Sequence, residues 1–291
     1  MDWDIKKILD WSTEFFQKKG VDAPRLNAEL LLGRALGLGR VQLYVQFDRP
    51  LNEAELAAFK TLVQRRAARE PLAYILGERE FFSLRFEVTP ATLIPRPETE
   101  ELVERGLAFL QERQIAASRI LDVATGSGCI LISLLHALPT ARGLGFDVSP
   151  AALEVARRNA AAHGVAARAE FQFHDLCQPW PEWAQGPFDL ICANLPYVSE
   201  SEWQGLAPEV RDHEPKAALV PGPEGLEHFA ALLPQIPPRL APEGLALLEI
   251  GMEQGPALLA MAQRFCTELQ ARVLPDLSGR PRRLELGRHL H

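Results

Sequence analysis

Four cysteines in 291 residues, Cys129, Cys177, Cys192 and Cys266, stand far apart and form no Cys-x-x-Cys pair. Neither a disulfide framework nor a zinc site is indicated, and the chain reads as one kept in a reduced compartment, the cytoplasm. No apolar run reaches the ~18–20 residues that a membrane span needs. The opening Met1-Asp2-Trp3-Asp4 is acidic where a signal peptide would be basic and then apolar. Positive charge is also in deficit: 31 Lys and Arg against 38 Asp and Glu leave a net −7. Residues 1–75 carry 12 basic and 10 acidic side chains, so the deficit lies wholly in the remainder. A grip on duplex nucleic acid draws most of its affinity from neutralised phosphates, and an acidic majority weighs against that partner, although a local basic patch can hide in a negative total. No Ser/His/Asp triad, His-Glu-x-x-His or paired-carboxylate pattern occurs, the seven His are scattered, with His289 and His291 in the tail, and no metal site is expected.

With 47% hydrophobic and 24% charged residues, the chain has the balance of a globular protein with a real core. Its length suits a catalytic-size domain with a smaller companion. The first part reads as helical. Ile8, Trp11, Phe15 and Phe16 recur at helical spacing, as do Leu26 and Leu30–Leu32, and Leu51-Asn52 opens a further helix through Phe59, Leu62 and Val63. Gly20, Gly37 and Gly39 fall where turns and C-caps belong, and Asp22-Ala23-Pro24 reads as a helix start. Residues 1–70 are therefore assigned to a helical bundle. Residues 71–90 are assigned to a β-hairpin connection, with strands at Ala73–Leu76 and Phe81–Val88 joined at Gly77-Glu78. Residues 91–291 form the third region, in which Pro95-Arg96-Pro97-Glu98-Thr99-Glu100 leads into a helix.

Beyond residue 118 strands and helices alternate, which predicts an α/β fold with a parallel sheet flanked by helices. Strands are expected at 119–123, 143–147, 169–174, 188–192, 246–250, 271–274 and 283–286, with helices at 129–137 and 150–163. Asp122-Val123-Ala124-Thr125-Gly126-Ser127-Gly128 follows the first of these strands. Its small residues let backbone N–H groups approach a ligand beside a helix N-terminus. It is neither Gly-x-Gly-x-x-Gly nor a P-loop. Asp147 ends the next strand, where an acid can accept hydrogen bonds from ribose hydroxyls or simply cap the following helix. Asp175 ends the third, where an adenine amino group could donate to it. Three such strand ends in order describe a nucleoside-bearing cofactor without a pyrophosphate clamp, which is S-adenosylmethionine rather than NAD.

The fourth strand ends in Asn194-Leu195-Pro196-Tyr197. This tetrapeptide resembles the Asn-Pro-Pro-Tyr signature of methyltransferases that alkylate conjugated nitrogen: adenine N6, cytosine N4 or an amide. Such a nitrogen has a delocalised lone pair and is a poor nucleophile. The Asn194 side-chain oxygen and the Leu195 carbonyl can each accept one N–H of the acceptor amine, which positions it and enriches it in electron density as the methyl bond forms. Pro196 stiffens that backbone, and Tyr197 offers a flat apolar face.

The chain as a whole resembles the HemK/PrmC family of N5-glutamine methyltransferases. The resemblance rests on Pro71–Gly77, Ile94–Glu100, Asp122–Gly128, Asn194–Tyr197, Glu214–Leu219, Gly225-Leu226, Leu248–Gly255 and Asp276–Arg280. It implies a class I (Rossmann-like) S-adenosylmethionine-dependent methyltransferase domain preceded by a small helical domain that helps to bind class I peptide-chain release factors. It also implies methionine-moiety contacts at Ala124, Thr125, Gly126, Ser127 and Gly128 with Asp122 before them. Ribose contacts would fall at Asp147, adenine contacts at Asp175 and Leu176, and the glutamine at Asn194, Leu195, Pro196 and Tyr197, with Asn194 beside the cofactor as well. Arg96 and Glu98 are candidates for closing the site. A monomer acting on a release factor is expected, with no membrane and no direct nucleic-acid binding.

Three positions depart from the family's pattern. Ala124 stands where glycine is usual, Leu195 where proline is usual, and His213 where an aromatic is frequent. Asn-Leu-Pro-Tyr also resembles the rRNA adenine dimethyltransferases, so an adenine N6 methyltransferase acting on RNA or DNA is the alternative reading, on a flipped or single-stranded base. A non-catalytic binding module on a decayed methyltransferase fold is a third, and failure to bind S-adenosylmethionine would mark it.

Overall fold

The computed structural model describes residues 3–115 and 117–290. The expectations placed on Met1, Asp2 and His291 lie outside the described residues. The chain divides into two compact units: one runs to Gly77 and takes in Ala207–His213, and the other comprises Glu78–Leu206 and the chain from Glu214 onward.

The first unit is helical. Its helices Ile5–Lys18, Pro24–Leu36, Arg40–Val45, Glu53–Ala67 and Leu72–Leu76 enclose a core of Ile5, Leu9, Phe16, Leu31, Leu32, Leu43 and Phe59. Local chemistry sets the helix ends. The Asp4 carboxylate accepts the Lys7 N–H at 2.8 Å, and Asn52 and Glu55 exchange side-chain and backbone hydrogen bonds as a capping box. Ala207–His213 is held here by ion pairs from Arg66 and Arg69 to Glu209, at 3.1 and 2.8 Å.

One strand expectation is corrected. Ala73–Leu76 is not a strand but part of the helix Leu72–Leu76, with Pro71 at its start and Gly77 in the left-handed conformation at its end. That Pro-to-Gly bracket is a helix start and stop, and Ile75 completes the bundle core. The hairpin lies wholly in the second unit, as β1 (Glu78–Phe81) and β2 (Leu84–Glu87), turning at Phe82-Ser83. Asn159 pins it to the helix Pro150–Ala162 by accepting the Glu87 N–H at 2.8 Å.

The second unit is built on a seven-stranded sheet. Its strands are β3 (Arg119–Val123), β4 (Arg142–Asp147), β5 (Ala169–Phe173), β6 (Phe188–Asn194), β7 (Leu240–Glu249), β8 (Gln270–Pro275) and β9 (Pro281–Gly287). The order is β5-β4-β3-β6-β7-β9-β8, parallel from β5 to β7, while β9 runs antiparallel to both β7 and β8. The parallel expectation holds for five strands and fails at the last two. The Asp276–Arg280 turn joins β8 to β9 too tightly for a crossover, and antiparallel pairing is the only option so short a turn leaves. Apolar side chains on both faces form two cores, one around Val123, Ile191 and Leu248, the other around Ile120, Leu134 and Leu190. The order reverses at β3 and β6, so the carboxyl ends of these neighbours flank the crevice where open α/β sheets bind ligands.

Candidate active site

β3 ends in the turn that carries Asp122 to Gly128. Ala124 takes φ +56, Gly126 +55 and Gly128 +79. Left-handed backbone is free for glycine and costs an alanine, so the departure at 124 is a strained position. Fully buried Asp122 anchors the turn from beneath by accepting the Thr125 hydroxyl at 2.6 Å. Among the described residues its Oδ1 has no hydrogen-bond partner, and burial raises its carboxyl to about 7. Asp147 accepts the Gly126 N–H at 2.9 Å and the Ser149 N–H at 2.8 Å. It therefore clasps the glycine-rich turn and shapes the start of the next helix; burial raises its carboxyl too.

A cavity of about 200 Å³ opens at these strand ends. Ala124, Thr125, Gly126, Ser127, Asp147, Asp175, Leu176 and Asn194 all line it, while Asp122 and Gly128 do not. Gly128 instead admits the helix behind the turn: a Cβ there would meet Ile132 at 2.8 Å and Ala156 at 3.2 Å. Asp175 accepts the Cys177 N–H at 2.9 Å. The wall is completed by Thr92, Leu93, Pro95, Val148, His174 and His228, which sequence reasoning missed. The lining suits an adenosine-bearing ligand with a cationic end. It is mostly apolar, it has carboxylates at two successive strand ends, and a third carboxylate with an unpartnered oxygen lies beneath the turn.

A second, smaller cavity of about 30 Å³ shares Leu93, Asn194, Pro196 and Ala218 with the first. Leu195, Tyr197, Arg96 and Glu249 also line it. Asn194 and Pro196 thus line both cavities, and Leu195 and Tyr197 only the smaller. Asn194 Nδ2 donates to Thr99 Oγ1 at 3.0 Å, and the Thr99 hydroxyl donates to Glu249 at 2.6 Å. The Tyr197 hydroxyl donates to the other Glu249 oxygen at 3.3 Å. Burial and the neighbouring Glu249 charge raise the Tyr197 phenol well above its ordinary value, so it stays protonated. The Tyr197 carbonyl is pinned by Gln254 Nε2 at 2.9 Å, which also reaches the Gly225 carbonyl at 3.1 Å. At the other departure, the Leu195 side chain is 1% exposed and packs into the core around Val123 and Ala193.

Of the two residues expected to close the site, Arg96 does line the smaller cavity, ion-paired to Glu214 at 2.6 Å. Glu98 is exposed and lines neither cavity. The Glu249–Gln254 stretch, part of the Leu248–Gly255 run that carries the family resemblance, supplies Glu249 and Gln254 to the site. The available signal was a carboxylate closing the apolar run Ala246–Leu248.

The strand order, the turn after β3 and the paired cavities define a class I methyltransferase, for which S-adenosylmethionine is the cofactor. The hMettl16 catalytic domain, solved in complex with MAT2A 3′UTR hairpin 6, has a similar fold. The TM-score is 0.57 at 18% identity, covering 77% of this chain and 82% of that one. Residues 7–77 match the PrmC N-terminal domain and residues 120–214 a methyltransferase domain. The release factor glutamine methyltransferase of Geobacter sulfurreducens is 46% identical over 91% of this chain and 90% of its own length. That of Nitratidesulfovibrio vulgaris is 44% identical over 98% and 96%. The chain belongs to the release factor glutamine methyltransferase family.

Proposed function

We propose that this protein methylates the side-chain amide nitrogen (N5) of the glutamine in the Gly-Gly-Gln loop of class I peptide-chain release factors, with Asn194, Leu195, Pro196 and Tyr197 holding that glutamine. One observation carries the assignment of roles: Asn194 lines a large cavity on one side and a small one on the other. The large one suits the cofactor, with Ala124 to Ser127 along its methionine end, Asp147 at the ribose, and Asp175 and Leu176 at the adenine. Asp122 supports the turn from below. The small cavity, lined by Asn194, Leu195, Pro196 and Tyr197, sets an acceptor beside the larger one. The release factor glutamine methyltransferases at 44–46% identity favour glutamine over the adenine reading.

When bound, S-adenosylmethionine supplies an electrophilic sulfonium methyl. The protein's share is positioning. Asn194 Oδ1 and the Leu195 carbonyl accept the two N–H groups of the acceptor amide and hold its nitrogen toward the larger cavity. Pro196 and the Gln254 bond to the Tyr197 carbonyl keep that backbone from yielding. The Tyr197 ring faces the amide plane, and its phenol, held protonated, acts as no base. One amide proton leaves to solvent or to a nearby carbonyl as the methyl bond forms. Arg96, tied to Glu214, frames the entrance.

The helical unit, running to Gly77 and taking in Ala207–His213, serves to recognise the release factor, and the unit from Glu78 serves as the catalytic domain. The working state is a cytoplasmic monomer that does not bind nucleic acid directly. Among the described residues, no helix is long and apolar enough to cross a membrane. Labelled S-adenosylmethionine offered to an intact release factor, to the same factor with the loop glutamine changed to alanine, and to total RNA with DNA tests this reading. Label on the intact factor alone is expected. Label on nucleic acid alone would transfer the assignment to adenine.

A further inference from the structure

An asparagine clamps an acceptor amide only in one orientation. Its Oδ1 accepts an N–H, whereas its Nδ2 would set donor against donor. Nothing covalent selects between these two states, because a half-turn of the amide exchanges them. In this site Asn194 is the first member of a chain of hydrogen bonds. Nδ2 reaches Thr99 Oγ1 at 3.0 Å, and Thr99 Oγ1 lies 2.6 Å from Glu249 Oε2. The second Glu249 oxygen takes the Tyr197 hydroxyl at 3.3 Å. Thr99 and Glu249 are each 2% exposed, Thr99 in the wall of the larger cavity and Glu249 in that of the smaller.

We propose that Thr99 and Glu249 are positioning residues that set the polarity of the clamp, obliging Asn194 to turn its Nδ2 inward and its Oδ1 toward the acceptor amide. Burial raises the Glu249 carboxyl, the Thr99 hydroxyl, the Arg282 charge and the Tyr197 hydroxyl oppose that rise, and in its ionised form a carboxylate only accepts. The single Thr99 proton is therefore drawn to Glu249, and Thr99 Oγ1 is left able only to accept. Asn194 must then supply a donor, which is Nδ2. Among the described residues no hydrogen bond is made to Asn194 Oδ1, and this atom remains for the acceptor. The same carboxylate anchors the Tyr197 hydroxyl, so one buried acid orients two members of the clamp. A glutamine at 249 carries its own donor. Its NH₂ can turn to Thr99, the hydroxyl then donates to Asn194 Oδ1, and the clamp presents a donor to a donor.

The inference rests on the reading of Asn194 as the amide clamp, and its test separates the two. The full chain and its Thr99→Val, Thr99→Ser and Glu249→Gln variants are compared in kcat and KM on a release factor and in affinity for S-adenosylmethionine. The side-chain amide resonances of Asn194 are recorded on the same proteins. Thr99→Val and Glu249→Gln should lower kcat by a factor on the order of 100, the scale for losing one preorganised contact, with KM and cofactor affinity near wild type. Thr99→Ser, which keeps the hydroxyl, should restore kcat. The Asn194 amide protons should move in Thr99→Val and hold in Thr99→Ser. Near-wild-type kcat in Thr99→Val overturns the proposal, as does a Thr99→Ser no better than Thr99→Val. An Asn194 resonance indifferent to Thr99→Val overturns it whether or not any acceptor is methylated. A wild-type protein that shows the resonance pattern but methylates no release factor keeps the polarity and refutes the acceptor instead.

Discussion

Changing Asp122 to asparagine should make the catalytic unit more stable, and by an amount that depends on pH. Asp122 is fully buried at the end of β3, has one hydrogen bond from Thr125, and has one oxygen without a partner. Burial raises its carboxyl from 3.8 to about 7, helped by the nearby Asp147 charge. Between those values the unfolded chain has given up the proton and the folded one keeps it. The folded state binds more protons there, so this residue's contribution to stability falls as pH climbs through the window and stays low above it. At about 1.4 kcal/mol per tenfold preference, the cost above the window is about 4 kcal/mol. Asparagine keeps an oxygen for the Thr125 hydroxyl and carries no charge. Wild type and Asp122→Asn should therefore be equally stable near about pH 4 and differ by up to about 4 kcal/mol, in the variant's favour, near about pH 8. Urea unfolding at several pH values, followed by amide exchange in β3 so that the reading is local to this unit, measures the gap. A gap that does not change with pH, or a variant less stable at the alkaline end, would refute the reasoning. Binding of the cationic S-adenosylmethionine should weaken in the same variant.

Ala124→Gly relieves left-handed backbone strain of roughly 1–2 kcal/mol and gives back about 0.4–1 kcal/mol through the freer unfolded chain. A net gain of about 0.5–1 kcal/mol in denaturant unfolding is expected, and a loss would mean that the methyl's packing outweighs the strain. Gly225→Ala is expected to cut activity sharply, because a Cβ at φ +78 would lie 2.4 Å from the Tyr197 carbonyl oxygen. Unchanged kcat in that variant would remove this carbonyl from the machinery. Alkylation of the native protein should modify Cys177 alone, the one exposed cysteine, while burial raises the Cys129 thiol to about 12. Modification of Cys129 or Cys192 in the native state would contradict the packing around β3 and β6.

Most of the catalytic unit was legible because its signals are local. Buried strands read as apolar runs, and the turns after them carry acids and glycines at fixed places. The helix Cys129–Ala137 runs between its expected ends, and Asp147, Asp175 and Asn194 meet at one cavity as their strand ends implied. Errors came where local pattern underdetermines the answer. Ala73–Leu76 is a short apolar run that suits strand or helix, and the Pro71 and Gly77 brackets decided it. The direction of β9 depends on a turn length rather than on the strand's own residues. Thr99 and Glu249 lie 150 residues apart, and only the pairing of β6 with β7 brings the latter beside Asn194. No spacing rule reports a contact of that kind. Asp122 was placed with the cofactor residues, whereas the fold sets it one layer below them, where it acts on the turn through Thr125.

The central claim is that Asn194 is the shared wall between cofactor and acceptor. A crystal structure with S-adenosylhomocysteine and a release factor carrying its intact Gly-Gly-Gln loop tests it most directly. The account predicts adenosine along Asp147 and Asp175 in the larger cavity and the glutamine carboxamide in the smaller one. The amide nitrogen should lie within hydrogen-bond distance of Asn194 Oδ1 and the Leu195 carbonyl. A glutamine seated elsewhere, or an Asn194 turned so that Nδ2 faces it, would contradict the account.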